Sequence, residues 1–568
     1  MKADLILIHP PSIYDFREKT IMFGPVSDLV PSTPIFEMYP IGFLTISNYL
    51  QKRGFKVRIV NLAHRMQVDK NFDAGKFLKL LKADAFGIDF HWMAHCQGST
   101  EVAKIIKEYH PETPVIFGGF SSSYFFSQLI KYPQVDYIIR GDSAEEPLAR
   151  LMGAIKHGKY RLEDIPNLVY KKQGRVYTNP VRCISKDLEE IDFDYRIMFK
   201  QVTRFFDIGS LMPFSQWFRY PITTIPVVRG CSHNCSGCGG SKSAFKIFAK
   251  RKEPAFRSPK KLAEEVKLIK KYINAPVFIL GDINEGGKEY VEEFFGYARG
   301  IKEGTQIFFE FFKPPPKWFF DEASRLFSSV LYEMSPDSHD TEIRQKMGKP
   351  SFSNNDLIEA IEYALGKGAV RFDLYFMSGL PGQNKRSIMD TVDFCERIYR
   401  KIGWDRRFMP FISPMAPFLD PGSRAFENPS KFGYKLTAES LEEHIKAIVK
   451  PSWKYILNYE SSAISRDDLV EYTYKAAAGL NRLKGRSGAI TEEIMAENEK
   501  RIYNALKTID KIDKIMGKGG DRKQEMLTEL KQETEKYSMS TICEKKELEF
   551  PLFNRRFNWP RIIKESIF

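Results

Sequence analysis

A chain of 568 residues with 43% apolar and 28% charged side chains is globular rather than disordered, and long enough for two to four domains. No apolar run reaches the roughly 18–20 residues that span a bilayer, and residues 1–11 lack the length and cleavage pattern of a signal peptide, so the expected place is the cytoplasm, free or peripheral to a membrane. The net charge of +14 is spread along the chain, which speaks against nucleic acid as a partner, and seven cysteines with three inside eight positions make a metal site, not a disulfide framework.

Residues 1–150 alternate short apolar strands with amphipathic helices. Strands are predicted at 4–8, 56–60, 85–88, 115–117 and 137–139, and helices at 41–52 and 102–109. Such alternation builds a parallel sheet covered on both faces, with ligands beyond the carboxyl ends of the strands. Residues 151–220 read as a connector with a hairpin at 167–177. From 221 to 425, strands are predicted at 223–228, 277–280, 306–312, 330–334, 371–377 and 408–412, with a helix at 259–272. Six parallel strands with intervening helices form a partial or full α/β barrel. Residues 426–568 are mainly helical. Ile502, Leu506, Ile509 and Met516 keep helical spacing, the glycine-rich 517–520 breaks it, and Met526, Leu527 and Leu530 start a second helix. This hairpin is assigned a packing role.

The string Arg229-Gly230-Cys231-Ser232-His233-Asn234-Cys235-Ser236-Gly237-Cys238 follows a predicted strand. Thiolates are soft ligands suited to zinc or to iron–sulfur centres. A structural zinc site wants four protein ligands in two spaced pairs. Here three thiolates stand alone, and His233, between the first two, is awkwardly placed as a fourth. Iron–sulfur clusters are held by four thiolates, so three leave one iron open. That iron can chelate the amino and carboxylate groups of an S-alkylated methionine and pass an electron to its sulfonium. Gly230, Gly237, Gly239 and Gly240 let the loop wrap closely.

This C-x3-C-x2-C spacing is identified as the signature of the radical S-adenosylmethionine (SAM) superfamily. The resemblance implies a 4Fe-4S cluster on Cys231, Cys235 and Cys238, SAM bound to it, a 5′-deoxyadenosyl radical, and an external electron donor such as ferredoxin or flavodoxin. Gly281-Asp282 falls where the family binds the SAM amino group, although the usual Gly-Gly-Glu is absent. Ser335 and Arg344 fall where it meets the ribose and carboxylate. Ser378-Gly379 resembles the fifth-strand turn, and 410–423, with Pro417 and Pro421-Gly422, the end of the sixth strand.

Residues 39–44 and 50–55 resemble the cobalamin-binding domain that precedes the barrel in one branch of the superfamily, so the resemblance covers most of residues 1–425. Gly118-Gly119-Phe120-Ser121 and 140–146 sit at that domain's Gly-Gly and acidic turns. The D-x-H-x-x-G motif that supplies an axial histidine is only begun by Asp89-Phe90-His91, with Ala94 in place of the glycine. His91 is therefore expected to line the cobalamin face, along with Trp92, His95 and Cys96, rather than to ligate cobalt. Methylthiotransferases are a poorer match, because residues 1–220 hold only Cys96 and Cys183 for a second cluster.

The fold implied is α/β: a flavodoxin-like (Rossmann-type) parallel sheet domain at 1–150, a connector at 151–220, a partial (β/α)6 barrel at 221–425 and a helical region at 426–568. The implied function is cobalamin-dependent methylation of an unactivated carbon, on a small-molecule, lipid or protein substrate. Two alternatives stand beside it: radical carbon–carbon coupling or rearrangement without use of cobalamin, and a non-enzymatic metal protein that binds nucleic acid. The aromatic run 308–320 is read as part of an apolar substrate pocket. Together with the positive charge, it raises a lipid or isoprenoid with an anionic head.

Overall fold

The computed structural model describes residues 1–567 apart from 25–34, 216, 302–303, 416–418, 519–521, 539–542, 544–546 and 548–555. Pro417 and the Gly519-Gly520 pair therefore lie outside the described residues.

The N-terminal sheet is built on β1 (Ala3–His9), every residue of which is buried. A continuous apolar run covered on both faces is the pattern of a central parallel strand. Around it lie β2 (Val57–Asn61), β3 (Ala83–Asp89), β4 (Val115–Gly118) and β5 (Tyr137–Ile139), all parallel, in the order β2-β1-β3-β4-β5. This is the doubly wound order whose reversal lies between β1 and β3, the place where such sheets hold ligands. The hairpin assigned above to a connector, β6 (Leu168–Lys172) and β7 (Arg175–Thr178), instead extends this sheet in antiparallel fashion. Helix Cys96–Tyr109 crosses beneath the end of β1 at Gly98, where a Cβ would lie 1.8 Å from the Pro11 carbonyl oxygen.

The second sheet holds six parallel strands in sequence order: β8 (Thr223–Pro226), β9 (Val277–Leu280), β10 (Gln306–Phe311), β11 (Ser329–Asp337), β12 (Arg371–Ser378) and β13 (Phe408–Pro414). It curls into an open barrel with helices outside. The two-residue strand period divides the aromatic run. Phe309 and Phe311 turn outward and pack with Phe319, Phe320 and Tyr332. All five are core side chains. Phe308 turns inward, stacks on Phe278 at 4.3 Å, and closes the barrel floor with Tyr220 and Leu331.

The C-terminal helices span both domains. Arg466–Arg486 lies against Lys385–Lys401 and β13. Glu492–Met516 and Arg522–Ser538 follow it. From the last of these, Lys531 Nζ donates to the carbonyls of Phe16 and Arg17 in the N-terminal domain. Among the described residues, no helix is long and apolar enough to cross a membrane.

Candidate functional site

The cysteine loop leaves the barrel at Val228–Arg229 and turns at Gly230, whose φ of +98° only glycine adopts freely. Backbone groups clasp it. Ser236 N–H donates to the Met347 carbonyl at 2.7 Å, Ala425 N–H to the Ser236 carbonyl at 2.8 Å, and Gly239 N–H to Asp420 at 2.9 Å. The N–H groups of His233 and Gly240 point at the sulfurs of Cys231 and Cys238, at 3.4 and 3.2 Å. All seven cysteines are free. Burial raises the three loop thiols, Cys235 to about 11, a cost that a bound metal reverses by favouring thiolate.

Among the described residues, no three of His, Cys, Asp and Glu converge at the spacing of one ion. Three thiols on one loop, two of them with an amide donor aimed at the sulfur, suit a four-iron cluster that leaves one iron open.

A cavity of about 250 Å³ opens beside this loop, lined by Cys231, Cys238, Gly281, Glu285, Glu310 and Phe312 among others. Gly281 reaches it, and its N–H donates to Glu310 at 2.8 Å. Asp282 does not: it is fully buried and accepts from the N–H groups of Asn284 and Phe312. Arg344 is spent on the Phe352 carbonyl and Asn354 and stacks on the Phe352 ring. Ser378 is buried against Thr473 at 2.6 Å, and the Gly379 carbonyl accepts from Tyr434. Ser335 lies on β11 and offers its carbonyl to Lys349 at 2.9 Å.

Two groups that sequence reasoning missed stand closer to the cysteines. Glu285 lies 3.1 Å from His233 and accepts from Ser232, and these contacts hold its carboxyl down to about 2. Lys349 is buried. Burial opposes its charge, but Asp337 at 3.1 Å and the Cys235 thiol hold it above the usual lysine range. Glu285 stands four residues after Gly281, on the short helical turn Ile283–Gly286, and lines the cavity.

A second cavity, about 350 Å³, lies between the two sheets. His91, Gly118, Gly119 and Phe120 line it from the carboxyl ends of β3 and β4. Ser121 stands just behind, its hydroxyl on the His91 carbonyl at 3.0 Å. A Cβ at Gly42 or Gly118 would meet nothing within 4 Å. These glycines leave open space on the cavity wall that any side chain would fill. Both cavities are lined by Pro226, Val228, Gly230 and Leu280. The loop that carries the cysteines is thus the wall between them. His91 packs on Phe120 and Trp92, and burial lowers its pKa. His95 and Cys96 are buried outside the cavity.

Residues 225–395 match the Radical SAM superfamily, and residues 30–151 match the B12 binding domain. Two curated relatives are anaerobic magnesium-protoporphyrin IX monomethyl ester cyclases. That of Rubrivivax gelatinosus is 26% identical over 190 residues, covering 32% of this chain and 30% of the relative. That of Synechocystis sp. is 26% identical over 234 residues, covering 37% and 43%. The matched stretch is under half the length of either. Among solved structures, the radical SAM methyltransferase TsrM from Kitasatospora setae, with cobalamin and a [4Fe-4S] cluster bound, aligns over 94% of this chain and 100% of its own, with a TM-score of 0.57 and 13% identity. The cobalamin-dependent SAM radical enzyme OxsB aligns over 100% and 80%, with a TM-score of 0.53 and 13% identity.

Proposed function

We propose that this chain, a radical SAM enzyme that carries a B12-binding domain ahead of its barrel, methylates an unactivated carbon of a small molecule held between its two cavities. The observation that carries the reading is the shared wall at Gly230, which sets the inter-sheet cavity and the thiol-lined cavity back to back. In this reading residues 1–150 hold the corrinoid, 221–425 the cluster and SAM, and 426–568 clamp the two together. Cys231, Cys235 and Cys238 hold the cluster; Gly281, with Glu285 and Lys349 nearby, holds the polar end of SAM; His91, Gly118, Gly119, Phe120 and Ser121 hold the corrinoid face. When bound, the cluster and SAM supply a 5′-deoxyadenosyl radical and the corrinoid supplies a methyl group.

The chain's own part is to orient and to exclude water. The amides of His233 and Gly240 support charge on sulfur. The paired Lys349 and Asp337 place a fixed dipole under the cysteine loop. The apolar walls Val228, Leu280 and Phe245 keep the inter-sheet cavity dry. The electron comes from ferredoxin or flavodoxin, in the cytoplasm.

A second reading, a cyclisation without methyl transfer, is favoured by the likeness to the cyclases. Anaerobic incubation of reconstituted protein with SAM and a reductant separates the two by mass spectrometry. Methylation yields both 5′-deoxyadenosine and S-adenosylhomocysteine; cyclisation yields 5′-deoxyadenosine alone. Cys235→Ala is expected to lose the iron and at least 100-fold in both products. Protein that retains no corrinoid and forms no S-adenosylhomocysteine would overturn the methylation reading.

A further inference from the structure

The inward face of the barrel is acidic where the aromatic run had suggested an apolar lining. The strand period turns Glu310, Glu333 and Asp373 inward, and they stand side by side: Glu310 pairs in register with Glu333, and Glu333 with Asp373. Cations nearby are already matched, Lys349 with Asp337, Arg371 with Asp373 at 2.7 Å, and Lys484 with Glu547. Two carboxyl groups are left over. Glu310 accepts one backbone N–H from Gly281. Among the described residues, no hydrogen bond or ion pair of the Glu333 carboxyl is found, and Arg371 acts on it only through space. Behind it Asp373 is fully buried, and its Oδ1 has no hydrogen-bond partner among the described residues.

Burying such groups without compensation costs several kcal/mol. Burial, with Glu310 and Asp373 alongside, pushes the Glu333 carboxyl well above the usual range. Among the described residues, nothing in the scaffold accounts for this cost. The position offers one, because Glu310 lines the cavity beside Cys231 and Cys238. Neighbouring strands lie about 4.8 Å apart, so one nitrogen centre with several N–H donors can reach carboxylates on both.

We infer that the substrate presents a protonated amine or guanidine to Glu310 and Glu333, with Asp373 as the polar floor behind them, and that the barrel rejects anionic head groups. This rests on the proposed reading of the chain as a radical SAM enzyme whose substrate is held next to the cluster and SAM. It replaces the expectation of an anionic lipid, since a carboxylate or phosphate would meet a row of acidic groups, and the nearby cations among the described residues are already paired. Phe308 and Phe312 lie two residues before and after Glu310 on the same strand face, which suits an apolar body joined to the cationic nitrogen.

The test uses anaerobically reconstituted protein loaded with SAM and three size-matched probes: benzylamine, benzyl alcohol and benzoate. Saturation-transfer NMR titration is expected to rank benzylamine at least about tenfold tighter than the alcohol, with no benzoate binding. Glu333→Gln and Glu310→Gln should each erase that preference while the cluster absorbance stays. Equal binding of amine and alcohol, binding of benzoate, or a preference that survives both substitutions overturns the inference. If a variant does not fold, the wild-type ranking still decides. Formation of 5′-deoxyadenosine by the wild-type preparation is followed in parallel. Its absence alongside an intact amine preference counts against the radical reading alone; its presence without the preference counts against the amine site alone.

Discussion

Gly119 is the residue at which backbone conformation and site coincide. Its φ of +113° lies where side chains are strained, and a Cβ there would meet the backbone of His91 and Phe90 at 2.5–2.7 Å. Neither cause can be relieved by moving a flexible side chain. Gly119→Ala is therefore expected to cost about 1–3 kcal/mol and to push β4 away from the His91 segment, deforming the cavity floor. Thermal unfolding together with corrinoid retention on gel filtration checks both effects; a variant of unchanged stability with full corrinoid loading would show that the close approach is not needed. Gly118, next to it, opens into the cavity instead, so a methyl group there acts on the ligand and not on the fold.

At the scale of elements, the carboxyl ends of β1 and β3 are tied by a buried pair. His9 Nδ1 lies 2.8 Å from Asp89, and the His91 N–H donates to the other oxygen at 2.9 Å. The two side chains are essentially unexposed. Burial raises the Asp89 carboxyl, but the His9 contact outweighs it and holds the group below the usual carboxylate range. A carboxyl depressed in the folded state adds stability that is fully present above its unfolded pKa, about 4, and is lost as pH falls through the folded value. Asp89→Asn is thus expected to cost about 1–3 kcal/mol at pH 7. The difference from wild type should close as pH drops below about 4. Urea unfolding across that range measures it; a gap independent of pH would assign the loss to packing and not to charge.

For the whole molecule, the decisive contact is between domains. Arg229, two residues before the first loop cysteine, forms a double hydrogen bond with Glu145 at 2.7 and 3.1 Å, and Thr45 donates to the same carboxylate at 2.8 Å. Nearby, Arg251 pairs with Asp142 and donates to the Ser185 carbonyl at 2.9 Å. Glu145 and Asp142 stand on the N-terminal domain, and both arginines on the barrel side. Removing one member of a buried pair strands the other, so Arg229→Met and Glu145→Gln are each expected to cost about 3–5 kcal/mol. The double variant should cost less than their sum by about 0.5–3 kcal/mol. Additive losses in thermal unfolding would show that the pair does not couple the domains. Both single variants should also load less corrinoid and iron, because the cysteine loop hangs from Arg229.

Much of this was legible in the residues alone. Strand period and apolar runs placed β1 to β5 and β8 to β13 to within a few residues, because burial on two faces leaves a local signature. The three cysteines and the glycines around them were legible for the same reason: their spacing is short and their chemistry demands it. Asp282, Arg344, Ser378 and Gly379 were not decidable in this way. Their types suit a ligand, but in the folded chain their polar groups are taken up by Phe312, Asn354, Thr473 and Tyr434. Glu285, Lys349 and the row Glu310, Glu333 and Asp373 lie far apart in sequence and gain meaning only when strand register sets them together. The sequence by itself determined the two sheets, their order along the chain and the thiol loop, all of which rest on local period and spacing. The tertiary structure alone decided which polar groups face the cavities and which are spent on the scaffold, since that depends on pairing across hundreds of residues.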